Sequence, residues 1–256
     1  MNRIKLIFHS SLGKKFLMAV TGAGLFCFVV GHLIGNLQVF LPPEAINRYA
    51  HFLQTTPELL WTARLGLLAL VGLHVLSAVW LWHENRAARP VGYALDPAVR
   101  SSSYASRTML MSGLIIATFV VYHLLHFTVR VEGVNGTPVI FGDLREPVTG
   151  HADVYAMIVA GFSVWYVSLF YLAAVGLLCL HLSHGVNAMF QSLGLMHRAY
   201  RVGIDKAAKA VAVLLFVGYA SIPVAVWVFG HGQDYLREVH LGGSPAVVSA
   251  MSEEGK

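Results

Sequence analysis

Long apolar stretches separated by polar and charged segments dominate the sequence. Five such stretches occur, at roughly residues 16–40, 60–83, 108–130, 156–188 and 207–229. A helix of about 20 residues, rising 1.5 Å per residue, crosses the roughly 30 Å hydrocarbon core of a bilayer. The pattern therefore predicts an all-α membrane protein with five transmembrane helices, four forming a bundle core and the fifth supporting it.

Composition supports this class and excludes others. Hydrophobic residues make up 56% of the chain and charged residues only 12%, against about 25% charged residues in soluble proteins. Cys27 and Cys179 both lie in apolar stretches, where we expect inert packing residues without a disulfide. The net charge of +5 does not indicate nucleic acid, because the basic residues flank the apolar stretches.

The placement of these basic residues predicts an orientation. They cluster before the first stretch, between the second and third, and between the fourth and fifth. The positive-inside rule then puts the N-terminus in the cytoplasm and the C-terminus outside. The first stretch is long enough to span and is not followed by a small-residue cleavage site, so we expect a retained helix.

The segments predicted to lie outside differ in character. Pro42, Pro43 and Glu44 precede AINRYAHFLQ, which predicts a short interfacial helix with proline in its first turn. Residues 131–153, which include the turn signal Asn135-Gly136, predict an irregular cover.

The last two stretches and the tail carry further expectations. The fourth stretch, begun at Val154, exceeds a straight crossing and predicts one tilted or outward-projecting helix. Pro223 predicts a kink in the fifth. Residues 1–230 then form the transmembrane domain, and 231–256 form an outer-side tail that we expect to be poorly ordered.

Histidines at membrane depth are the main chemical feature. Four of the five stretches carry them, at His32, at His74, at His123 and His126, and at His181 and His184. An ionisable side chain at this depth is costly unless it is paired, and it is a functional candidate. One such histidine would be explained by hydrogen bonding between helices. Four stretches with the same feature indicate a shared ligand.

Depth sorts these histidines into two pairs. At 1.5 Å per residue from the predicted cytoplasmic helix ends, His32 lies at ~24 Å and His123 at ~22 Å. On the same scale His74 and His181 both lie at ~14 Å, so the pairs are ~9 Å apart along the membrane normal. Iron in a b-type haem takes two facing axial ligands, and neutral imidazole suits it. The pattern predicts two haems, bound non-covalently because Cys-x-x-Cys-His is absent.

Alternatives to these ligands remain open. His126, at ~27 Å, and His184, at ~9 Å, match the partner depths less well but could ligate instead; otherwise they would bond a propionate, a backbone group or water. Propionate partners are available on the inner side, where the same residues could merely signal topology. They are His9, Ser10, Lys14, Lys15, His83, Arg86 and Arg89.

Small residues near the histidines would admit a flat macrocycle, although ordinary helix packing explains them too. They are Gly22, Gly24, Gly31, Gly35, Gly66, Gly72, Gly176 and Gly185. The sequence contains no zinc-type or Walker-type motif and no Ser-His-Asp arrangement that can be placed. We therefore expect no chemistry on a soluble substrate from this chain alone.

Several fragments, taken in order, resemble one family. They are GHLIGN around His32, EAINRYAHFLQ in the first outer segment, LHV around His74, YHLLHF around His123, and LHLSHGVNAMFQSLG around His181. The chain resembles the cytochrome b membrane-anchor subunit of succinate:quinone oxidoreductases, of the di-haem, five-helix, single-chain type found in menaquinone-using bacteria. The resemblance covers all five stretches.

The resemblance implies a ligand set and partners. His32 and His123 would ligate the outer (distal) haem, and His74 and His181 the inner (proximal) one. A flavoprotein and an iron–sulfur subunit would dock on the cytoplasmic face of the bacterial inner membrane. Electrons from succinate would pass through both haems to menaquinone or another quinone, and fumarate reduction would run the reverse path. A higher oligomer of the complex is compatible with this arrangement.

The quinone site does not carry over from the family. Some relatives place a proton-accepting glutamate near the outer end of the first hairpin, where this chain reads HFLQ. Proton transfer needs a titratable or hydrogen-bonding group within about 3 Å of the quinone oxygen. Glu44, His51 and Gln54 are the candidates, and a solvated interfacial helix explains them equally well.

Three rival functions share some of these features. A di-haem b subunit of a hydrogenase or formate dehydrogenase would use the same ligands with other partners. A proton-coupled transporter would use the histidines as a proton relay and would be colourless. A structural anchor without cofactor would leave the paired depths as a coincidence.

Overall fold

A computed structural model describes residues 10–88 and 108–242. The eight α-helices in these ranges are α1 Ser11–Asn36, α2 Pro43–Thr55, α3 Pro57–Ala87, α4 Met109–His123, α5 Val154–Ser163, α6 Trp165–Ser192, α7 Arg201–Trp227 and α8 Gln233–His240. A 3-10 turn, Leu37–Phe40, follows α1, and a π-helical turn, Leu124–Val129, follows α4. The described residues contain no strand, only an isolated bridge between Arg145 and Ala152.

Five of these helices are long and apolar enough to cross a membrane: α1 with its 3-10 turn, α3, α4 with its π turn, α6 and α7. The predicted all-α membrane class is confirmed. Only 11% of the most apolar window of α3 is buried, and the corresponding share for α6 is 33%. Exposed apolar side chains along these helices suit contact with lipid.

The chain divides into two compact units. Among the described residues, the first comprises 10–31, 61–88, 108–116 and 177–215, and the second comprises 32–60, 117–176 and 216–242. The second unit contains a hydrophobic core built from α5, from the start of α6, and from Phe141 and Leu236. Buried residues of the first unit are mostly small, such as Ala19, Ala208 and Ala212.

Local sequence explains several helix ends. The hydroxyl of Ser10 accepts a hydrogen bond from the Gly13 N–H and so caps the start of α1. Helices α2 and α3 each begin at a proline, whose missing N–H costs nothing at a helix start. The predicted short helix after Pro42 is therefore present as α2. Pro223 lies inside α7, and its predicted kink stays a prediction.

The stretch begun at Val154 is not the single helix that the sequence predicted. Val164 adopts an extended conformation between α5 and α6 and interrupts the helix. The hydroxyl of Ser168 donates a hydrogen bond to the Phe162 carbonyl oxygen at 2.7 Å. This bond satisfies a carbonyl that the broken helix would leave unpaired.

The prediction of a poorly ordered tail is wrong for residues 231–242. Within this range Gln233–His240 form α8, whose Leu236 is 2% exposed within the core of the second unit. The hydroxyl of Tyr235 and Nε2 of His240 both bond Asp153, at 2.7 and 2.8 Å. These contacts fix the segment on a helix that lies far away in sequence. The rest of the tail, 243–256, lies outside the described residues.

The predicted irregular cover over residues 131–153 is a series of turns. Gly136 has a φ of +67°, as a turn at Asn135-Gly136 requires. The Asn135 amide donates to the Val139 carbonyl at 2.8 Å and closes the turn. The segment ends at Asp153, which accepts from the Ala156 N–H and caps α5.

Candidate functional site

His74 and His181 lie together in the first unit. Their ring centres are 6.4 Å apart and the ring planes are inclined by 66°. His74 comes from the middle of α3, and His181 comes from the C-terminal half of α6. These are the two histidines that the sequence placed at equal depth.

The contacts of His74 determine which nitrogen carries its proton. Nδ1 lies 3.2 Å from the carbonyl oxygen of Met18 and 3.3 Å from the hydroxyl of Thr21. A carbonyl only accepts, and the Thr21 hydroxyl is within bonding distance of two carbonyl oxygens to which it can donate, those of Leu17 and Met18. His74 therefore carries its proton on Nδ1, which leaves the lone pair of Nε2 for a ligand.

His181 has a similar partner. Its Nδ1 lies 3.3 Å from the hydroxyl of Ser112, which donates its own proton to the Met109 carbonyl oxygen. The hydroxyl is then an acceptor toward Nδ1, so His181 also carries the proton there. A Cβ added at Gly113 would lie 3.5 Å from Cε1 of this ring, in ordinary contact, so α4 packs closely on it.

His32 and His123 lie together in the second unit. Their ring centres are 5.8 Å apart and their planes are nearly perpendicular, at 82°. The amide nitrogen of Asn36, one turn further along α1, lies 2.7 Å from the His32 carbonyl oxygen and 3.3 Å from its Nδ1. His123 is the last residue of α4 and immediately precedes the π turn. Such turns are frequent at functional sites.

Tyr171 links His123 to His126. Its hydroxyl lies 3.2 Å from Nδ1 of His123 and 2.9 Å from Nδ1 of His126. The sequence predicted that His126 would bond a propionate, backbone or water if it were not a ligand, and the structure gives it a tyrosine instead. Tyr171 precedes His181 on α6 and could have been suspected only as a polar group in an apolar stretch.

His126 is fully buried in an aromatic cage. Its ring centre is 4.0 Å from that of Phe127 and 5.5 Å from that of Phe141. Nε2 has no hydrogen-bond partner among the described residues, a deficit that costs about 1–3 kcal/mol when the atom carries a proton. A Cβ added at Gly161 would lie 3.0 Å from this nitrogen. The close packing leaves no room for a macrocycle beside Nε2.

The residues predicted to bond haem propionates have other contacts in the structure. Lys14 is buried and pairs with Glu84, which also accepts from the Ser11 hydroxyl at 3.0 Å. The guanidinium carbon of Arg86 lies 5.4 Å from the centre of the Trp82 ring. Lys15 and His83 were also predicted as propionate partners, and both are exposed. His9 and Arg89 lie outside the described residues.

The predicted quinone-site residues all lie on α2, and their role stays a prediction. Glu44 and Gln54 are exposed, and His51 stacks on His151 with ring centres 3.6 Å apart. An open groove of about 390 Å³ lies instead along another face of α2. It is lined by Gln38, Ala45, Arg48, Tyr49 and Phe52. The sequence did not reveal this groove, because its lining residues share a face of α2 and do not form a recognisable motif.

The geometry of the histidine pairs suits a metal held between two rings. Two imidazoles on opposite sides of one metal, with metal–nitrogen bonds of about 2 Å, have ring centres roughly 6 Å apart. Both pairs match this spacing. Among residues 10–88 and 108–242, no three or more His, Cys, Asp or Glu side chains form a group that could hold a metal ion. A group bound here would have to bring further ligands of its own, as a porphyrin does.

The glycines near the histidines play different parts. A Cβ at Gly22 would lie 3.2 Å from Cε1 of His74, so this glycine lets α1 approach the ring. Gly24 is covered by Leu70, and Gly35 is covered by Tyr49, as ordinary helix packing requires.

Asp153 is the centre of a separate buried network on the second unit. Its carboxylate is 0% exposed and accepts from the Ala156 N–H, the Asn47 amide, the Tyr235 hydroxyl and His240. Burial alone would raise the pKa of Asp153, but these hydrogen bonds outweigh it and hold the pKa below its usual value.

No protein-family model, curated protein or solved structure matches this chain.

Proposed function

We propose that this chain is the di-haem cytochrome b membrane-anchor subunit of a succinate:quinone oxidoreductase. The observation that carries the haem part is the pairing of His74 with His181. Their ring centres are 6.4 Å apart, and each ring keeps its proton on Nδ1 through an acceptor. Ligand histidines almost always donate this second N–H to a fixed partner. The pair therefore has the chemistry that an axial ligand set needs.

The pairing of His32 with His123 supports a second haem. The ring spacing of 5.8 Å again suits a shared metal. His126 is enclosed by Phe127, Phe141 and Gly161, so we assign the ligand role to His123. In the other pair we assign the ligand role to His181 and not to His184, because the ring centre of His181 lies 6.4 Å from that of His74.

The residues of the chain hold, orient and insulate the cofactors. Met18, Thr21 and Ser112 fix the tautomer of two imidazoles, which leaves the lone pair of each Nε2 available to a ligand. Bound haem supplies one-electron transfer, and the surrounding apolar helices exclude water and tune its potential.

The partner assignment depends on the sequence fragments that resemble the family. It predicts a flavoprotein and an iron–sulfur subunit on the cytoplasmic side, with electrons passing from succinate to quinone. No contact among residues 10–88 and 108–242 distinguishes this assignment from a hydrogenase or formate dehydrogenase subunit. The partners must therefore be identified directly.

We propose the groove along α2 as the site of the quinone headgroup. Tyr49 and Phe52 offer aromatic surface, while Gln38 and Arg48 offer hydrogen-bond donors. Pockets for small organic ligands combine these two kinds of lining. Gln38 belongs to the 3-10 turn that extends α1 beyond His32.

Affinity purification of the tagged chain from its native membrane in mild detergent tests the proposal. We expect a flavoprotein with covalent flavin and an iron–sulfur protein to co-purify, and succinate to reduce the haems. Co-purification with hydrogenase or formate dehydrogenase subunits would support that rival. A colourless preparation would favour a transporter or a structural anchor.

A further inference from the structure

Tyr171 stands between two histidines, only one of which is placed to act as a ligand. The hydroxyl is 3.2 Å from Nδ1 of His123 and 2.9 Å from Nδ1 of His126. Tyr171 is 6% exposed, and His126 is fully buried. No described element offers the buried Nε2 of His126 a hydrogen-bond partner.

Proton counting gives the chain of bonds a direction. The tyrosine hydroxyl has one proton to donate, so it can donate to one histidine while accepting from the other. If Nε2 of His123 is to ligate, its Nδ1 must carry a proton and donate to Tyr171. Tyr171 then donates to Nδ1 of His126, whose own proton sits on Nε2. The opposite direction would put a proton on the ligating nitrogen of His123.

We propose that Tyr171 and His126 are positioning residues for the haem held by His32 and His123. This inference rests on the proposed function. Tyr171 accepts from His123 and fixes its tautomer and ring orientation, and His126 accepts from Tyr171. Because a hydroxyl that donates is a stronger acceptor, His126 strengthens the bond on His123. The added electron density on His123 stabilises ferric iron and lowers the midpoint potential of that haem.

In the described structure the hydrogen bonds from the His74–His181 pair end on backbone carbonyls and not on a second histidine. The Nδ1 partners of those rings are a backbone carbonyl and two hydroxyls that donate back to their own helices. The relay therefore distinguishes one site from the other. It offers a physical reason for the two haems to differ in potential.

The surroundings of His126 fit a positioning role. Phe127 and Phe141 pack against the ring. Gly161 lets α5 pack closely on its other edge, because a Cβ added there would lie 3.0 Å from Nε2. The ring thus has little freedom to turn away from Tyr171. A rigid acceptor fixes the bond that it receives.

Tyr171→Phe in the purified complex is the direct test. Potentiometric titration of the α bands and EPR of the oxidised haems provide readouts that do not depend on turnover. We expect the potential of the His32–His123 haem to rise and its highest g value to move, with the other haem unchanged. Loss of that haem alone would also support a positioning role.

Two matched controls assign the signals. Tyr166→Phe removes another hydroxyl from α6, one that bonds the Gly136 carbonyl and not a histidine, and should leave both haems unchanged. Ser112→Ala removes the acceptor beside His181 and should move only the other haem.

His126→Leu separates the relay from simple packing. It should raise the same potential by less than Tyr171→Phe, because the tyrosine can still accept from His123. The double variant should match Tyr171→Phe alone, since His126 acts through the hydroxyl.

The outcomes separate this inference from the proposed function. An unchanged potential and EPR spectrum in Tyr171→Phe would overturn it, and so would an additive double variant. In both cases two bound haems would leave the proposed function intact. A wild-type complex without haem would instead remove the proposed function.

Discussion

Nδ1 of His74 lies 3.2 Å from the carbonyl oxygen of Met18, an acceptor with no proton to give. This single contact between α3 and α1 fixes the tautomer of the imidazole. Nε2 of His74 therefore keeps a free lone pair, and the centre of the His74 ring lies 6.4 Å from that of His181. A histidine that only linked two helices by a hydrogen bond would not need a second histidine at this distance.

Replacing His74 with alanine should remove one haem from the chain and leave the other. Removal of an axial ligand should abolish or perturb a low-spin haem site. Haem extracted into alkaline pyridine and compared with protein should fall from two per chain to one. His51→Ala, which removes an α2 histidine stacked on His151, should keep both. Retention of two unperturbed haems in His74→Ala would rule out this ligand.

Thr21→Val tests the partner of His74 without touching the ligand. The hydroxyl is 3.3 Å from Nδ1, and its loss should loosen the ring. Removal of such an outer partner costs on the order of 10–100-fold in affinity. Haem release to excess apomyoglobin should therefore be faster from the His74–His181 site. Equal release from Thr21→Val and wild type would show that Met18 alone suffices.

The sequence anticipates the spans and the histidine pairs for a physical reason. Runs of about 20 apolar residues need a membrane, and the rise per residue converts a sequence position into a depth. His32 could thereby be matched with His123, and His74 with His181, before any contact was known. The ligand roles themselves stay predictions.

Features that depend on distant partners could not be read from the sequence. The break at Val164 interrupts a predominantly apolar run without proline, and the Ser168 hydroxyl bonds the Phe162 carbonyl across it. Helix α8 depends on Asp153, which is far away in the chain. The link from Tyr171 to His123 requires knowledge of how α6 meets the end of α4.

Asp153→Asn should destabilise the second unit by about 2–4 kcal/mol. The amide NH2 of asparagine is itself a donor, and it would face groups that now donate hydrogen bonds to the carboxylate. Tyr235 and His240 would lose their shared acceptor, so α8 should detach first. The thermal midpoint in detergent, with proteolysis of the C-terminal segment, measures the effect. Asp143→Asn replaces an exposed carboxylate in the same segment of turns, residues 131–153, and should change neither quantity.

The same carboxylate predicts a pH dependence. Hydrogen bonds hold the folded pKa of Asp153 below its ordinary value of about 3.9. Its contribution to stability is therefore complete above that value and is lost as the pH falls through the lower folded pKa. The thermal midpoints of wild type and Asp153→Asn should converge below about pH 4. A constant difference down to pH 3 would contradict the assigned charge.

The groove along α2 predicts which residues of this region affect quinone turnover. Arg48→Gln and Gln38→Ala should raise the KM for quinol several-fold, because they remove donors from the lining. Gln54→Ala and Glu44→Gln replace the exposed residues suggested by sequence and should leave KM near wild type. The reverse result would return the site to Glu44 and Gln54.

The most direct test of the account is the reduced-minus-oxidised spectrum of the purified chain, with haem and protein measured on the same sample. Two haems of b type per chain, both low-spin with two histidine ligands, are the predicted result. A preparation that binds no haem, or binds it without bis-histidine signals, would contradict the pairing of these four histidines around iron.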